Sequence, residues 1–337
     1  MKGLFKFLCY GFMTCLVLGS IAVAGAGIWG VQEYKKAGPL PEAVGINVTR
    51  GASLGAIADM LKHKNVIRSY DVFKVMAYAT GRASKLQAGA YEFQPNISMK
   101  GVLDKLEAGE IVTRKITIPE GLTNFEIDRL IMKDSDIRQE KVTLLSEGRY
   151  LPETYSFSAG DSNVDIMNQM AAALDKALDE EWKNRAEGLP FDTKEEALVL
   201  ASIIEKETGV KGERKTVAGV FVNRLRKGMA LQTDPTVIYA LTGGAHDDGG
   251  KGPLGRRLLR KDLQFDSPYN TYKYAGLPPG PIANAGRASI NAALHPEKHD
   301  YIYFVADGTG GHAFGKTLAE HNANVAKWRK IRKASGR

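Results

Sequence analysis

The chain has 337 residues, 44% of them hydrophobic and 25% charged, which is enough for one large or two ordinary domains and too apolar for a disordered protein. Its formal charge of +8, part of it in the tail "KWRKIRKASGR" from Lys327 to Arg337, suits an anionic partner: nucleic acid, lipid headgroups or an acidic polymer. No nucleic-acid motif is recognisable, so nucleic acid is the weakest of the three.

Lys2 and Lys6 precede "FLCYGFMTCLVLGSIAVAGAGIWGV", Phe7 to Val31, which holds no charge. As a helix this run reaches roughly 37 Å, longer than a bilayer's hydrocarbon core. The reading is a cytoplasmic tail at 1–6 and a single transmembrane anchor at 7–31. The lysines favour a cytoplasmic N-terminus, and Trp29 and Tyr34 sit at the far interface. "AVA" at Ala22–Ala24 is a rival signal-peptidase site, but the apolar run continues past it, which favours an uncleaved anchor. Everything after about residue 35 then lies outside the cytoplasm, on the periplasmic side of the inner membrane. Both cysteines, Cys9 and Cys15, fall inside the anchor, so the exported part has no disulfide. Residues 32–45, with Pro39 and Pro41, read as an extended linker.

A pattern then recurs. "INVTRGASLGAIADML" and "KITIPEGLTNFEIDRL" each have a β-like run, a glycine (Gly51, Gly121), a hydroxyl residue (Ser53, Thr123) and an apolar helix pattern. "FQPNISMKGVLDKLEAGE" repeats it with Ser98 as the cap. This is strand, tight turn, N-cap and amphipathic helix. Residues 46–118 form a small α+β module with no cluster of catalytic residue types, so its role is binding or spacing. Residues 119–150 read as a connecting, mostly helical segment over 122–147, ending in the aromatic turn "GRYLPETYSF". The remainder, 151–337, is predicted helical at 163–185, 193–208 and 213–228, loop-rich at 229–290, a strand at 301–306, and helical from about 317 to 333. The fold class is α+β: anchor helix, small module, then a mixed α/β domain.

Four stretches carry candidate chemistry. "ALVLASIIEKETG", Ala197 to Gly209, is an apolar helix ending in two glutamates. At about 100° per residue, Glu205 and Glu207 point roughly 160° apart and cannot share a cleft. Glu205 shares its face with the small Ala201 and Ser202, which leave room for a ligand. Glu207 lies with Leu200, Ile203 and Ile204 and reads as the supporting, secondary candidate. A carboxyl beside apolar groups is held protonated, the condition for a general acid, although Glu205 could instead pair with Lys206 or Arg214. In "LQTDPTVIY", Gln232, Thr233 and Asp234 precede Pro235; Asp234 is a second carboxylate, a polar orienter or a helix cap. In "SPYNTYKYAGLPPGPIANAG", Tyr269, Tyr272 and Tyr274 offer sugar-stacking faces on a stiff loop, or pack on the core. "GGHAFGKT", Gly310 to Thr317, fits the P-loop pattern letter for letter. Only twenty residues follow it, too few to complete a nucleotide-binding sheet, so nucleotide binding is not expected.

Taken together, "LASIIEKET", "ERKTVAGVFVNRLRKGMALQTDPTVIY", "SPYNTYKYAGLPPGPIANAG", "YIYFVADGTGGHAF" and "HN" at His321–Asn322 resemble the endolytic murein transglycosylase family (MltG/YceG-like) over nearly the whole chain. "YLPETYSF" departs from that family's longer hydrophobic stretch. The resemblance implies a LysM-like module at 46–118 and a catalytic domain at 151–337. It implies lytic cleavage of MurNAc–GlcNAc bonds within peptidoglycan glycan strands, nascent ones included, leaving 1,6-anhydro-MurNAc ends. It makes Glu205 the catalytic acid/base, with Gln232, Thr233, Asp234, Tyr269, Asn270 and His312 as substrate contacts. It implies no metal, cofactor or nucleotide, and peptidoglycan synthases as protein partners. The alternatives are a hydrolytic muramidase with Asp234 as second carboxylate, or a non-enzymatic wall-binding protein in which Glu205 is structural.

Overall fold

The computed structural model describes residues 2–158, 160–245 and 254–334. They fall into two compact units, Met1–Arg114 with Phe157–Gly160, and Lys115–Ser156 with Asp161–Arg337.

The first unit opens with α1, Lys2–Lys35. Its stretch Met13–Lys35 is long and apolar enough to cross a membrane. Then follow β1 (Val44–Val48), α2 (Leu54–His63), α3 (Tyr70–Ala79), β2 (Gly89–Phe93) and α4 (Met99–Ala108). β1 and β2 pair antiparallel, Ile46 opposite Tyr91, and their inward residues meet Ile57, Leu61, Phe73 and Leu103 in one core. The predicted caps are in place: Ser53 and Ser98 each accept a hydrogen bond from the backbone three residues on. This satisfies a helix-end N–H that has no partner inside the helix. Gly51 supplies the turn before α2 at φ 79°, where a side chain would be strained.

Two expectations change here. Residues 32–45 are not simply an extended linker: 32–35 continue α1, and Tyr34 and Leu40, each 4% exposed, join the core. Tyr34 therefore packs against protein. Gly38 lies so close to Ile97 that a Cβ would fall 2.1 Å from its carbonyl oxygen. α3, capped by Ser69, lies within the predicted module without having been expected as an element of its own.

The second unit holds β3 (Thr113–Thr117, whose first two residues belong to the first unit), α5 (Asn124–Met132), β4 (Thr154–Ser158, whose last two residues belong to the first unit), α6 (Asn163–Lys183), α7 (Lys194–Glu207), α8 (Arg214–Arg226), α9 (Asp234–Thr242), α10 (Arg287–Leu294), β5 (Tyr303–Ala306), β6 (His312–Gly315) and α11 (Leu318–Ala334). α7 is its axis: every residue from Ala197 to Ile204 is buried, among side chains of α6, α8 and α10. Burial on all sides explains why the helix lacks a polar stripe. A capping box between Thr193 and Glu196 starts it.

The predicted helix over 122–147 is only α5, nine residues ending at Met132. The rest is irregular chain tied into this unit by Asn284. That side chain, fully buried, donates to the Leu122 carbonyl (3.0 Å) and Asn124 Oδ1 (2.8 Å), and accepts from the Tyr150 N–H (2.9 Å). The P-loop pattern is not a phosphate loop. His312–Gly315 is the return strand of a hairpin, with Ala306 opposite His312, and Lys316 pairs with Asp300 at 3.0 Å.

Asn284→Ala strips partners from several buried backbone and side-chain groups at once. It is expected to cost about 2–3 kcal/mol, the range for buried polar groups left unpaired. A lowered chemical-denaturation midpoint checks this; an unchanged midpoint contradicts it.

Candidate active site

The two glutamates at the end of α7 meet different surroundings. Both oxygens of Glu205 are taken by protein. Oε1 lies 3.4 Å from the Arg214 guanidinium, and Oε2 accepts the Gly286 N–H at 3.0 Å. Its side chain is 6% exposed and that of Arg214 8%, so this is a buried pair. Arg214 also reaches Glu120 at 3.3 Å. Burial, and then the neighbouring Glu205, hold the Glu120 carboxyl above the ordinary range. Ala201 and Ser202, expected to leave room for a ligand, are both fully buried. Ser202 Oγ donates to the Val199 carbonyl and accepts the Ile282 N–H at 3.0 Å. The small residues make room for protein, not for a ligand.

Glu207 is the opposite case. One oxygen accepts a short hydrogen bond from Thr233 Oγ1. The other has no hydrogen bond among the described residues and is not sealed from solvent. Burial pushes the Glu207 carboxyl well above the ordinary carboxylate range, and the Asp234 charge adds to this. The Thr233 hydroxyl, His312 and Arg224 act the other way without reversing it. The group is thus a carboxyl whose charged form is disfavoured, with one oxygen left without a hydrogen bond among the described residues.

The surrounding side chains come from separate parts of the chain. Thr233 is buried, and its N–H donates to Thr271 Oγ1 at 3.1 Å. Thr271 in turn shares a 2.8 Å hydrogen bond with Thr236. Asp234 is exposed and accepts from Tyr272 Oη at 2.7 Å, so it is no helix cap. Burial, then the bond to Asp234, raise the Tyr272 phenol far above its usual range. Gln232 is exposed and sits at φ 51°, a region costly for a non-glycine residue. Its N–H donates to the Thr271 carbonyl at 3.1 Å, which holds the turn. His312, on β6, is paired through Nδ1 with Glu213 at 2.7 Å.

Not every expected residue joins this cluster. Asn270 is fully buried and spends its side chain on the loop itself. It donates to the Leu263 and Phe265 carbonyls at 3.0 and 2.8 Å and accepts the Tyr272 N–H at 3.0 Å. It shapes the turn that carries Tyr272 and has nothing left for a ligand. Tyr269 packs on Tyr239, ring centroids 4.9 Å apart. It borders a separate cavity of about 560 Å³ with Glu147, Val199 and Pro281.

Sequence reasoning missed Arg224, Glu213 and Tyr303. Arg224 is 7% exposed, gives hydrogen bonds to the carbonyls of Ile302 (2.7 Å) and Leu231 (2.7 Å), and lies over the Tyr303 ring at 5.5 Å. His321 stacks on Tyr303 at 5.1 Å, and its Nδ1 is buried with no partner among the described residues. Burial, and then Arg224, hold this imidazole below its usual range. The signal for Arg224 was present: it falls seven residues after Val217, on the apolar face of α8.

Known proteins resemble this chain along most of its length. Residues 46–327 match the YceG-like family. A Bacillus subtilis protein named endolytic murein transglycosylase is 37% identical, over 85% of this chain and 84% of its own. A protein of the same name from Streptococcus pneumoniae is 28% identical; the match takes 84% of this chain but 58% of that longer one. A crystal structure of a YceG-like protein from Listeria monocytogenes is 34% identical, covers 84% of this chain and 99% of its own, and superposes with a TM-score of 0.48.

The raised Glu207 pKa has a consequence for stability. The folded state holds the proton more tightly than the unfolded chain, whose carboxyl titrates near 4.5. Stability from this group is therefore complete below that value and is lost as pH rises toward the folded pKa. Glu207→Gln removes this loss. Its melting temperature relative to wild type is expected to climb as pH rises above about 4.5. A pH-independent difference in melting temperature would contradict the assignment.

Proposed function

The chain belongs to the YceG-like family, and from that premise we propose that it is a membrane-anchored endolytic murein transglycosylase whose general acid and base is Glu207. The observation that carries the choice of residue is the contrast within α7. Glu207 has a raised pKa and one oxygen without a hydrogen bond among the described residues, whereas both Glu205 oxygens are bound to Arg214 and Gly286. Both the small-residue face and the resemblance had suggested Glu205; the geometry favours its neighbour two residues on.

One carboxyl suffices for the chemistry. Glu207-COOH gives its proton to the glycosidic oxygen as that oxygen leaves C1 of the muramyl sugar. The carboxylate then takes the proton from the 6-hydroxyl of the same sugar, whose oxygen bonds to C1. Glu207 ends as it began, and no water is consumed. The nucleophile is tethered to the electrophile, which replaces the second carboxylate that ordinary glycosidases need. Thr233 holds Glu207 in place, while Gln232, Asp234 and His312 line the substrate side. Arg224 and Tyr303 back the site, and Asn270 acts through the loop it shapes. Tyr269 takes a more distant part of the glycan.

The remaining parts fit this reading. α1 anchors the chain, and Lys2 and Lys6 orient the bulk of it outside the cytoplasm. The strand–helix–helix–strand order from β1 to β2 supports a LysM-like glycan-binding role for the first unit. Nascent strands, and the synthases that make them, are the substrate and partners this placement suits.

Glu207→Gln is expected to lower turnover of uncrosslinked glycan strands by at least about 10²–10⁴-fold, the usual worth of positioned proton transfer. Glu205→Gln should keep measurable turnover and lose stability, because Arg214 loses a buried charged partner. Wild-type products should end in 1,6-anhydromuramic acid, one water lighter by mass spectrometry than hydrolysis products. An active Glu207→Gln beside a folded, inactive Glu205→Gln reverses the assignment. Ordinary reducing ends make the enzyme a hydrolase, with Asp234 as the second carboxylate.

A further inference from the structure

Glu213 has no place in the mechanism above, yet it is spent wholly on one residue. Its Oε1 accepts the His312 backbone N–H at 3.0 Å and its Oε2 lies 2.7 Å from His312 Nδ1. Both side chains are mostly buried, 21% and 15% exposed. The fit is tight. A Cβ on Gly311 would come 2.6 Å from Glu213 Oε1, so the carboxylate occupies the space that a side chain there would need. The Phe304 ring stands edge-on to the imidazole at 5.3 Å and limits its rotation. His312 Nε2 has no hydrogen bond among the described residues and is not a sealed, buried atom.

A carboxylate only accepts, so Nδ1 must carry the proton. In the neutral ring the lone pair then falls on Nε2. We propose that Glu213 is a positioning residue that locks His312 in the Nδ1–H tautomer, so that Nε2 accepts a hydrogen bond from the glycan at the Glu207 site. The partner on the glycan is a donor, a sugar hydroxyl or the N–H of an N-acetyl group. This rests on the reading of Glu207 as the catalytic acid.

The plainer alternative is a hairpin staple, in which Glu213 merely ties the start of α8 to β6. Two measurements on the full chain in detergent micelles separate them. The first is nitrogen NMR of histidine-labelled protein at about pH 8.5, where a free imidazole is neutral. His312, identified by its loss in His312→Ala, should show a protonated Nδ1 and a bare Nε2. Glu213→Gln, whose amide can also donate to Nδ1, should shift the ring toward the other tautomer. The second is a double-mutant cycle on uncrosslinked glycan strands. His312→Ala and Glu213→Ala should each lower kcat/KM by about tenfold, the scale of one hydrogen bond. The double variant should be no worse than His312→Ala alone, because Glu213 acts only through the imidazole.

A wild-type ring protonated at Nε2 overturns the proposal, as does full activity of His312→Ala or losses that simply multiply. If Glu213→Ala does not fold, Gly311→Ala displaces the same carboxylate and replaces it in the cycle. If wild type itself leaves glycan uncut, the transglycosylase reading fails, while the NMR result still decides the tautomer.

Discussion

A helix buried on every side can offer a ligand only its end. α7 is such a helix, with no exposed face from Ala197 to Ile204, and the rest of the second unit is arranged around that fact. α6, α8 and α10 close on it with small side chains at the contacts. Ala201 and Ser202 let α10 and the Pro-rich loop approach closely, and Ser202 Oγ takes up the Ile282 N–H that this approach buries. Polar chemistry is thereby driven into the last turn, where the two glutamates point apart. One is absorbed by Arg214 and Gly286, and the other is left facing the groups that arrive from α8, α9 and the hairpin.

This placement has a cost that the fold carries. A carboxyl at the C-terminal end of a helix faces the negative end of its dipole, and burial adds to the difficulty of charging it. The charged form of Glu207 is accordingly disfavoured, which a stability argument alone would not select. Arg224 and His312 oppose the shift, and Asp234 reinforces it. The proposed mechanism asks this group to release its proton and regain it. The φ of 51° at Gln232 is a second departure from local preference beside the same group. Such departures cluster where function, not stability, sets the geometry.

The two carboxylates also show how an ion pair and a proposed catalytic acid differ though both lie at the end of one helix. Glu205 with Arg214 is a structural joint, holding the Glu120 loop and the start of α10 to α7. It resembles many buried pairs in which removing one partner strands the other. Glu207 is held by a neutral hydroxyl, which positions it without forcing ionisation.

Much of this was legible in the sequence because it depends on neighbours in the chain. The uncharged run that becomes α1, the Gly-then-hydroxyl starts of α2 and α5, and the apolar stretch of α7 all follow from local sterics, capping and periodicity. The stretch Gly310–Thr317, which matches a phosphate-loop pattern letter for letter, holds the return strand of the hairpin that β5 and β6 form. The grouping of Gln232, Thr233, Asp234 and His312 came with the motifs they belong to. Which glutamate keeps an oxygen free of protein partners did not. Helical spacing showed that Glu205 and Glu207 diverge, but a face lined by alanine and serine fits a ligand and a close-packed helix equally well. Arg214, Gly286 and Ile282 settle that ambiguity, the last two from about eighty residues away. Asn270 and Tyr272, two residues apart in one loop, likewise exchange inner and outer roles only once the loop closes on itself. Local sequence determines which elements form. The long-range contacts decide which polar atoms are already satisfied, and the one left free is where chemistry can occur.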